Sequence, residues 1–137
     1  MLIDSEKITL QFSSLPDNFK MLYNLLDEFK RLYNISDDIA ANIELVVGEA
    51  INNAIMHGNK GDANKMVSVS AEVNSEHVLA VIVQDQGDGF DYNKVADPTL
   101  PENIENPTGR GVFLMKHLAD MIIFSNNGSM VEMQFRL

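Results

Sequence analysis

SDDIAANIELVVGEAINNAIMHG, residues 36–58, reads as one long helix. Ser36 is an N-cap, and Asp37 and Asp38 follow it in the first turn, where their charge opposes the positive end of the helix dipole. Ile39, Ile43, Val46, Val47, Ala50 and Ala54 fall on one stripe at 3.6 residues per turn, and Gly58 offers a C-terminal stop just after His57. Glu49, Asn53 and His57 recur at steps of four along an edge that borders the apolar stripe. There, a carboxylate and a carboxamide one turn apart can act as proton acceptor or water-positioner and as an oxygen ligand for Mg²⁺. Taken alone, the pair reads first as an ordinary polar flank, and His57 reads as a capping or packing residue.

Towards the N-terminus, residues 7–13 alternate polar and apolar, with Ile8, Leu10 and Phe12 on one face, as in a half-buried strand. Pro16 opens a second helical pattern whose apolar positions are Phe19, Leu22, Tyr23, Leu26, Phe29, Leu32 and Tyr33. Beyond the long helix, residues 66–73 and 77–83 form a hairpin pattern around Asn74, Ser75 and Glu76. Residues 84–108 hold three of the four prolines and read as a long loop, a length that usually serves function. Helical spacing resumes after Gly109, and two strand-like runs, 121–124 and 130–137, close the chain around Asn126, Asn127 and Gly128. The order predicts an α+β fold: a two-layer sandwich with helices on one face of a mostly antiparallel mixed sheet.

Two further segments can carry chemistry. Asp85-Gln-Gly87-Asp-Gly89 ends a strand that Val78, Ala80, Ile82 and Val83 would bury. A carboxylate there can accept from an exocyclic amine while bare glycine backbone approaches a flat ring; the same residues also make a common Gly-rich turn. Gly109-Arg110-Gly111 opens the last helix, so free N–H groups and the helix dipole would face the long loop as a phosphate cradle, with Arg110 adding fixed positive charge. This is neither a dinucleotide fingerprint nor a Walker A pattern. The three segments occur in one order, each on the element type that its chemistry needs.

Composition narrows the function classes. The 137 residues, 45% hydrophobic and 22% charged, suit one globular domain spanning 1–137. A net charge of −10, from 10 basic and 20 acidic residues, argues against nucleic acid as a partner. The absence of cysteine excludes disulfides and thiolate metal sites, and no apolar run is long enough to span a bilayer. With no secretory signal pattern either, a cytoplasmic protein without membrane association is expected.

Glu49-x-x-x-Asn53-x-x-x-His57-Gly58, then Asp85-x-Gly87-x-Gly89, then Gly109-Arg110-Gly111-x-x-Leu114 resembles the N, G1 and G2 boxes of the Bergerat ATPase fold shared by gyrase, histidine kinases and mismatch-repair ATPases. Within it, the sequence is most similar to the anti-sigma-factor serine kinases of bacterial partner-switching systems. The resemblance implies ATP and Mg²⁺ as cofactors, Asn53 on Mg²⁺, Glu49 as general base, and Asp85 on the adenine amine with Gly87 and Gly89 against the base. It implies a lid over residues 91–108, a phosphate wall at Gly109, Arg110 and Gly111, and contacts from Lys60 and Ser129 to phosphate and adenine. The implied partners are an anti-sigma-factor antagonist as phosphoacceptor, a sigma factor, and a second copy of the chain in a homodimer. Few residues precede Glu49, so no phosphoacceptor-His helix pair is expected. The alternative is an ATP-binding module that sequesters a protein without phosphotransfer.

Overall fold

The computed structural model describes residues 7–88 and 107–137. Its elements are β1 (Ile8–Ser13), α1 (Lys20–Leu32), α2 (Asp37–Asn53), β2 (Met66–Val73), β3 (Val78–Gln84), α3 (Pro107–Leu118), β4 (Met121–Ser125) and β5 (Met130–Arg136). A 3₁₀ turn at Pro16–Phe19 leads into α1, and a π turn at Ala54–Gly58 continues α2. The strands form one sheet in the order β1-β2-β3-β5-β4. All four pairings are antiparallel, so the α+β expectation holds with no parallel pair among the described residues.

Period-2 patterning explains the layering. In β2, Val67, Val69, Ala71 and Val73 are buried while Met66, Ser68, Ser70 and Glu72 are only partly covered. The register sets Val69 opposite Val83 and Val83 opposite Val131, so the buried rows of adjacent strands run together. Against that face pack Leu22, Leu25 and Phe29 of α1 and Ile43, Val46, Val47, Ala50 and Ile51 of α2. Each large aliphatic or aromatic side chain fully withdrawn here contributes about 1.5–3 kcal/mol.

Three local expectations are corrected. β3 is apolar on both faces, and the fully buried residues are Leu79, Val81 and Val83, whereas Val78, Ala80 and Ile82 lie half-covered on the opposite face. The α1 stripe is narrower than its apolar letters, with Tyr23 47% and Leu32 44% exposed. The helical run does end at Gly58, but not through a left-handed glycine. The chain passes through it in the π turn, and positive φ occurs at Lys60 (54°) and Gly61 (68°) instead. Among the described residues no helix is long and apolar enough to cross a membrane.

Candidate functional site

The cap predicted at Ser36 is present: its Oγ accepts from the Ile39 N–H at 3.3 Å, fixing where α2 starts and hence which side chains reach its far end. At that end Glu49 and Asn53 lie one turn apart, as their spacing requires. Asn53 is 8% exposed, and among the described residues its Nδ2 has no hydrogen-bond partner. The facing element is α3. A Cβ placed on Gly111 would stand 2.7 Å from Glu49 Oε2 and 3.7 Å from Asn53 Nδ2, so the α3 backbone at Gly111 lies against this pair and a side chain there would push the Glu49 carboxylate aside.

α3 begins at Pro107, two residues earlier than the sequence suggested, with proline in the first turn, where its missing N–H costs nothing. Gly109, Arg110 and Gly111 therefore fall at the end of the first turn and just beyond it. That first turn has no acidic residue. A helix's first turn presents N–H groups without helical partners and the positive end of its dipole, a combination that suits an anion. Of Arg110 only the backbone is described; Gly89 and the lid residues 91–106 lie outside the described residues.

Across from α3, Asp85 follows β3 and is 8% exposed. Its backbone N–H donates to the Ser129 carbonyl at 2.9 Å, and its Oδ1 accepts from the Gly87 N–H at 2.8 Å. Burial raises the Asp85 carboxyl above its ordinary value, while the Gly87 N–H and the charge of Lys65 act the other way. Two glycines make room for this carboxylate. A Cβ on Gly58 would stand 2.2 Å from Asp85 Oδ2, and one on Gly87 would stand 1.8 Å from the Gly58 carbonyl oxygen. Gly58 is thus explained by a close approach, not by a left-handed stop.

Asn53, Asp85 and Ser129 border one narrow cleft whose apolar walls include Val83, Met115, Phe124 and Val131. The free space between them is about 10 Å³, room for a single water. Ser129 Oγ donates to the Asn126 carbonyl at 2.8 Å. Glu49 opens instead on a groove of about 430 Å³ along α1 and α2, beside Tyr23 and Leu45. Lys60 and His57 are exposed at the tail of α2.

Of the sequence-derived site residues, Glu49, Asn53 and Gly111 come together, as do Asp85, Gly87 and Ser129. Ser14, Asn59 and Gln86 escaped the sequence reading. Ser14 and Asn59 are each 1% exposed, and Gln86 N–H donates to Asn59 Oδ1 at 2.8 Å. No local pattern announces them, because the partners they meet are distant in sequence.

Among the described residues no three or more His, Cys, Asp or Glu side chains converge as a metal site. The donors that do converge suit a different division of labour. A carboxamide turned by half a rotation presents oxygen in place of nitrogen, so the orphaned Asn53 amide fits a hard cation that takes its other ligands from phosphate and water.

The family model of the histidine kinase-like ATPase domain matches residues 12–135. The chain is 28% identical over 119 residues to an anti-sigma F factor of Priestia megaterium, covering 85% of this chain and 80% of that one. It is 29% identical over 130 residues to the anti-sigma F factor of Geobacillus stearothermophilus, covering 91% and 88%. It is also 32% identical over 96 residues to the serine-protein kinase RsbW of Bacillus subtilis (strain 168), covering 66% and 59%. Among solved structures, the histidine kinase domain of the blue-light activated histidine kinase of Erythrobacter litoralis EL346 superposes with a TM-score of 0.54 at 20% identity, over 87% of this chain and 60% of that one. That likeness concerns the fold alone. With the family match spanning nearly all of the sequence, the chain belongs to the histidine kinase-like ATPase domain family, with anti-sigma factors and serine-protein kinases among its relatives.

Proposed function

We propose that this chain is an ATP- and Mg²⁺-dependent protein-serine kinase that acts as an anti-sigma factor, phosphorylating an antagonist protein and sequestering a sigma factor. The observation behind this reading is the contact of Glu49 and Asn53 with the first turns of α3 at Gly111, next to the buried carboxylate of Asp85. Asp85 accepts from the adenine amine, and Gly87, with Gly89 beyond it, leaves backbone free to approach the ring. Ser129 borders the same cleft and contacts the base edge. The N-terminal turn of α3, with Gly109, Arg110 and Gly111, receives the phosphates, and Lys60 reaches them from the tail of α2. Asn53 holds Mg²⁺, whose charge offsets that building on the phosphate oxygens.

Glu49 takes the proton of the acceptor serine hydroxyl. It is suited to this because it borders both the phosphate end of the site and an open groove through which a protein segment can arrive. The γ-phosphoryl group passes to the serine oxygen and ADP leaves. Residues 91–108 couple nucleotide state to partner choice, and the protein works as a cytoplasmic homodimer. Incubation with labelled ATP and a cognate antagonist tests the proposal. Phosphoserine forms with the wild type and forms about 10²–10⁴-fold more slowly with Glu49→Gln, at unchanged ATP affinity. An unlabelled antagonist, or full-rate labelling by Glu49→Gln, overturns it.

A further inference from the structure

The tail of α2 does more than end a helix. In the π turn the Asn59 N–H donates to the Ala54 carbonyl at 2.8 Å, five residues back, which turns Gly58 and Asn59 inward together. The Asn59 carboxamide then uses its oxygen and its nitrogen. Nδ2 donates to Ser14 Oγ at 2.7 Å and to the Met66 carbonyl at 3.0 Å, and Oδ1 accepts from the Gln86 N–H at 2.8 Å. Ser14 Oγ in turn donates to the Lys65 carbonyl at 2.8 Å. A second strap lies outside the first: Gln86 Oε1 accepts from the Met66 N–H at 2.7 Å.

We infer that Asn59, with Gln86 as its outer strap, is a positioning residue that sets the orientation of the Asp85 carboxylate and thereby the preference for adenine over guanine nucleotides. The inference rests on the reading of Asp85 as the adenine contact. Its geometric basis is that the anchored N–H belongs to the peptide immediately after Asp85, while Asp85 Oδ1 is tied to the N–H of Gly87. Rotation of that peptide would swing the carboxylate. Asn59 blocks the rotation from the α2 side, and the Ser129 carbonyl, by accepting from the Asp85 N–H, holds the preceding peptide from the β5 side. A buried amide with every bond made is a stiff anchor, because loosening it leaves polar atoms without partners.

Titrations of the whole chain with Mg-ATP, Mg-GTP and inorganic tripolyphosphate test the idea. Gln86 is exposed, so Gln86→Ala leaves the core intact. It is expected to lower the ATP-to-GTP affinity ratio about fivefold while leaving tripolyphosphate affinity within about twofold. Gln86→Glu keeps an acceptor oxygen for the Met66 N–H and restores the ratio. Asn59→Asp keeps the acceptor but loses both donors, and lowers the ratio further; if it fails to fold, the Gln86 pair decides. An unchanged ratio in Gln86→Ala, an equal fall for all three probes, or no recovery in Gln86→Glu overturns the inference. A wild type with no preference for ATP over GTP overturns instead the underlying reading of Asp85.

Discussion

The two ends of α2 meet the same backbone requirement in opposite ways. Each helix end leaves a turn of N–H or C=O groups without helical partners. At its start, Ser36 Oγ supplies one acceptor, Asp37 and Asp38 face the dipole, and Lys30 pairs with Asp37, whose side chain is 90% exposed. Everything needed lies within a few residues and faces water. At its end the chain widens into a π turn, buries Gly58, and ties Asn59 to residues 45 and 27 positions away, Ser14 and Gln86. One end is local chemistry for stability; the other is long-range packing that shapes a site.

The comparison breaks most severely at Gly87. A methyl group there would overlap the Gly58 carbonyl oxygen, which is backbone and has no rotamer to escape into. Gly87→Ala is expected to cost about 3 kcal/mol and lower the melting temperature by about 10 °C, because the Asp85 turn must lift off the α2 tail. Nucleotide binding should fall with it. Thermal melts with and without ATP check both, and a variant that melts and binds like the wild type would show that the two segments are not in contact.

Asp85→Asn sharpens the same contrast, since at a functional end binding and stability should move in opposite directions. The folded state raises the Asp85 pKa through burial, so it holds the proton more tightly than the unfolded chain does. The contribution of Asp85 to stability is therefore greatest at acid pH and declines as pH rises from the ordinary value of 3.8 up to the folded pKa, then stays at the lower level. The asparagine variant lacks that charge. It should be more stable than the wild type at neutral pH, with the gap closing below about pH 4, while its ATP affinity drops about ten- to a hundredfold. A pH series of denaturant melts beside ATP titrations would reveal any failure of that opposition.

These differences also show what sequence made visible. Alternation placed β2 with its buried face, and the Ser36 cap with its two acids placed the start of α2, because both signals are local. The step of four from Glu49 to Asn53 placed half of the site, since helix geometry converts spacing into direction. β3 hid its inward face: Val78, Ala80 and Ile82 are as apolar as Leu79, Val81 and Val83, so period alone could not choose between them. Gly58 was misread for a related reason. A glycine after a helical run has a sufficient local explanation, and nothing nearby reveals that a carboxylate 27 positions on will occupy the space a Cβ would fill. Asn59 left no trace at all, because its partners come from β1, β2 and the Asp85 turn.

The smallest effects belong to the start of α2, and their smallness is the point. Ser36→Ala removes the acceptor for the Ile39 N–H and should cost about 1 kcal/mol, about 4 °C in melting temperature, with ATP affinity unchanged. The neighbouring ion pair should matter less. Asp37 and Lys30 hold each other's charged forms, Asp37 below and Lys30 above their ordinary values, through a hydrogen bond and charge attraction in full contact with solvent. Water and salt offer either group nearly as good a partner, so Lys30→Ala should shift the melt within error at physiological ionic strength. A double-mutant comparison with Asn59→Asp completes the contrast. Ser36→Ala and Asn59→Asp sit at opposite ends of α2 without shared partners, so their stability losses should add within about 0.5 kcal/mol. Strong coupling between them would mean that the cap tunes the tail, and that the two ends of the helix are one device.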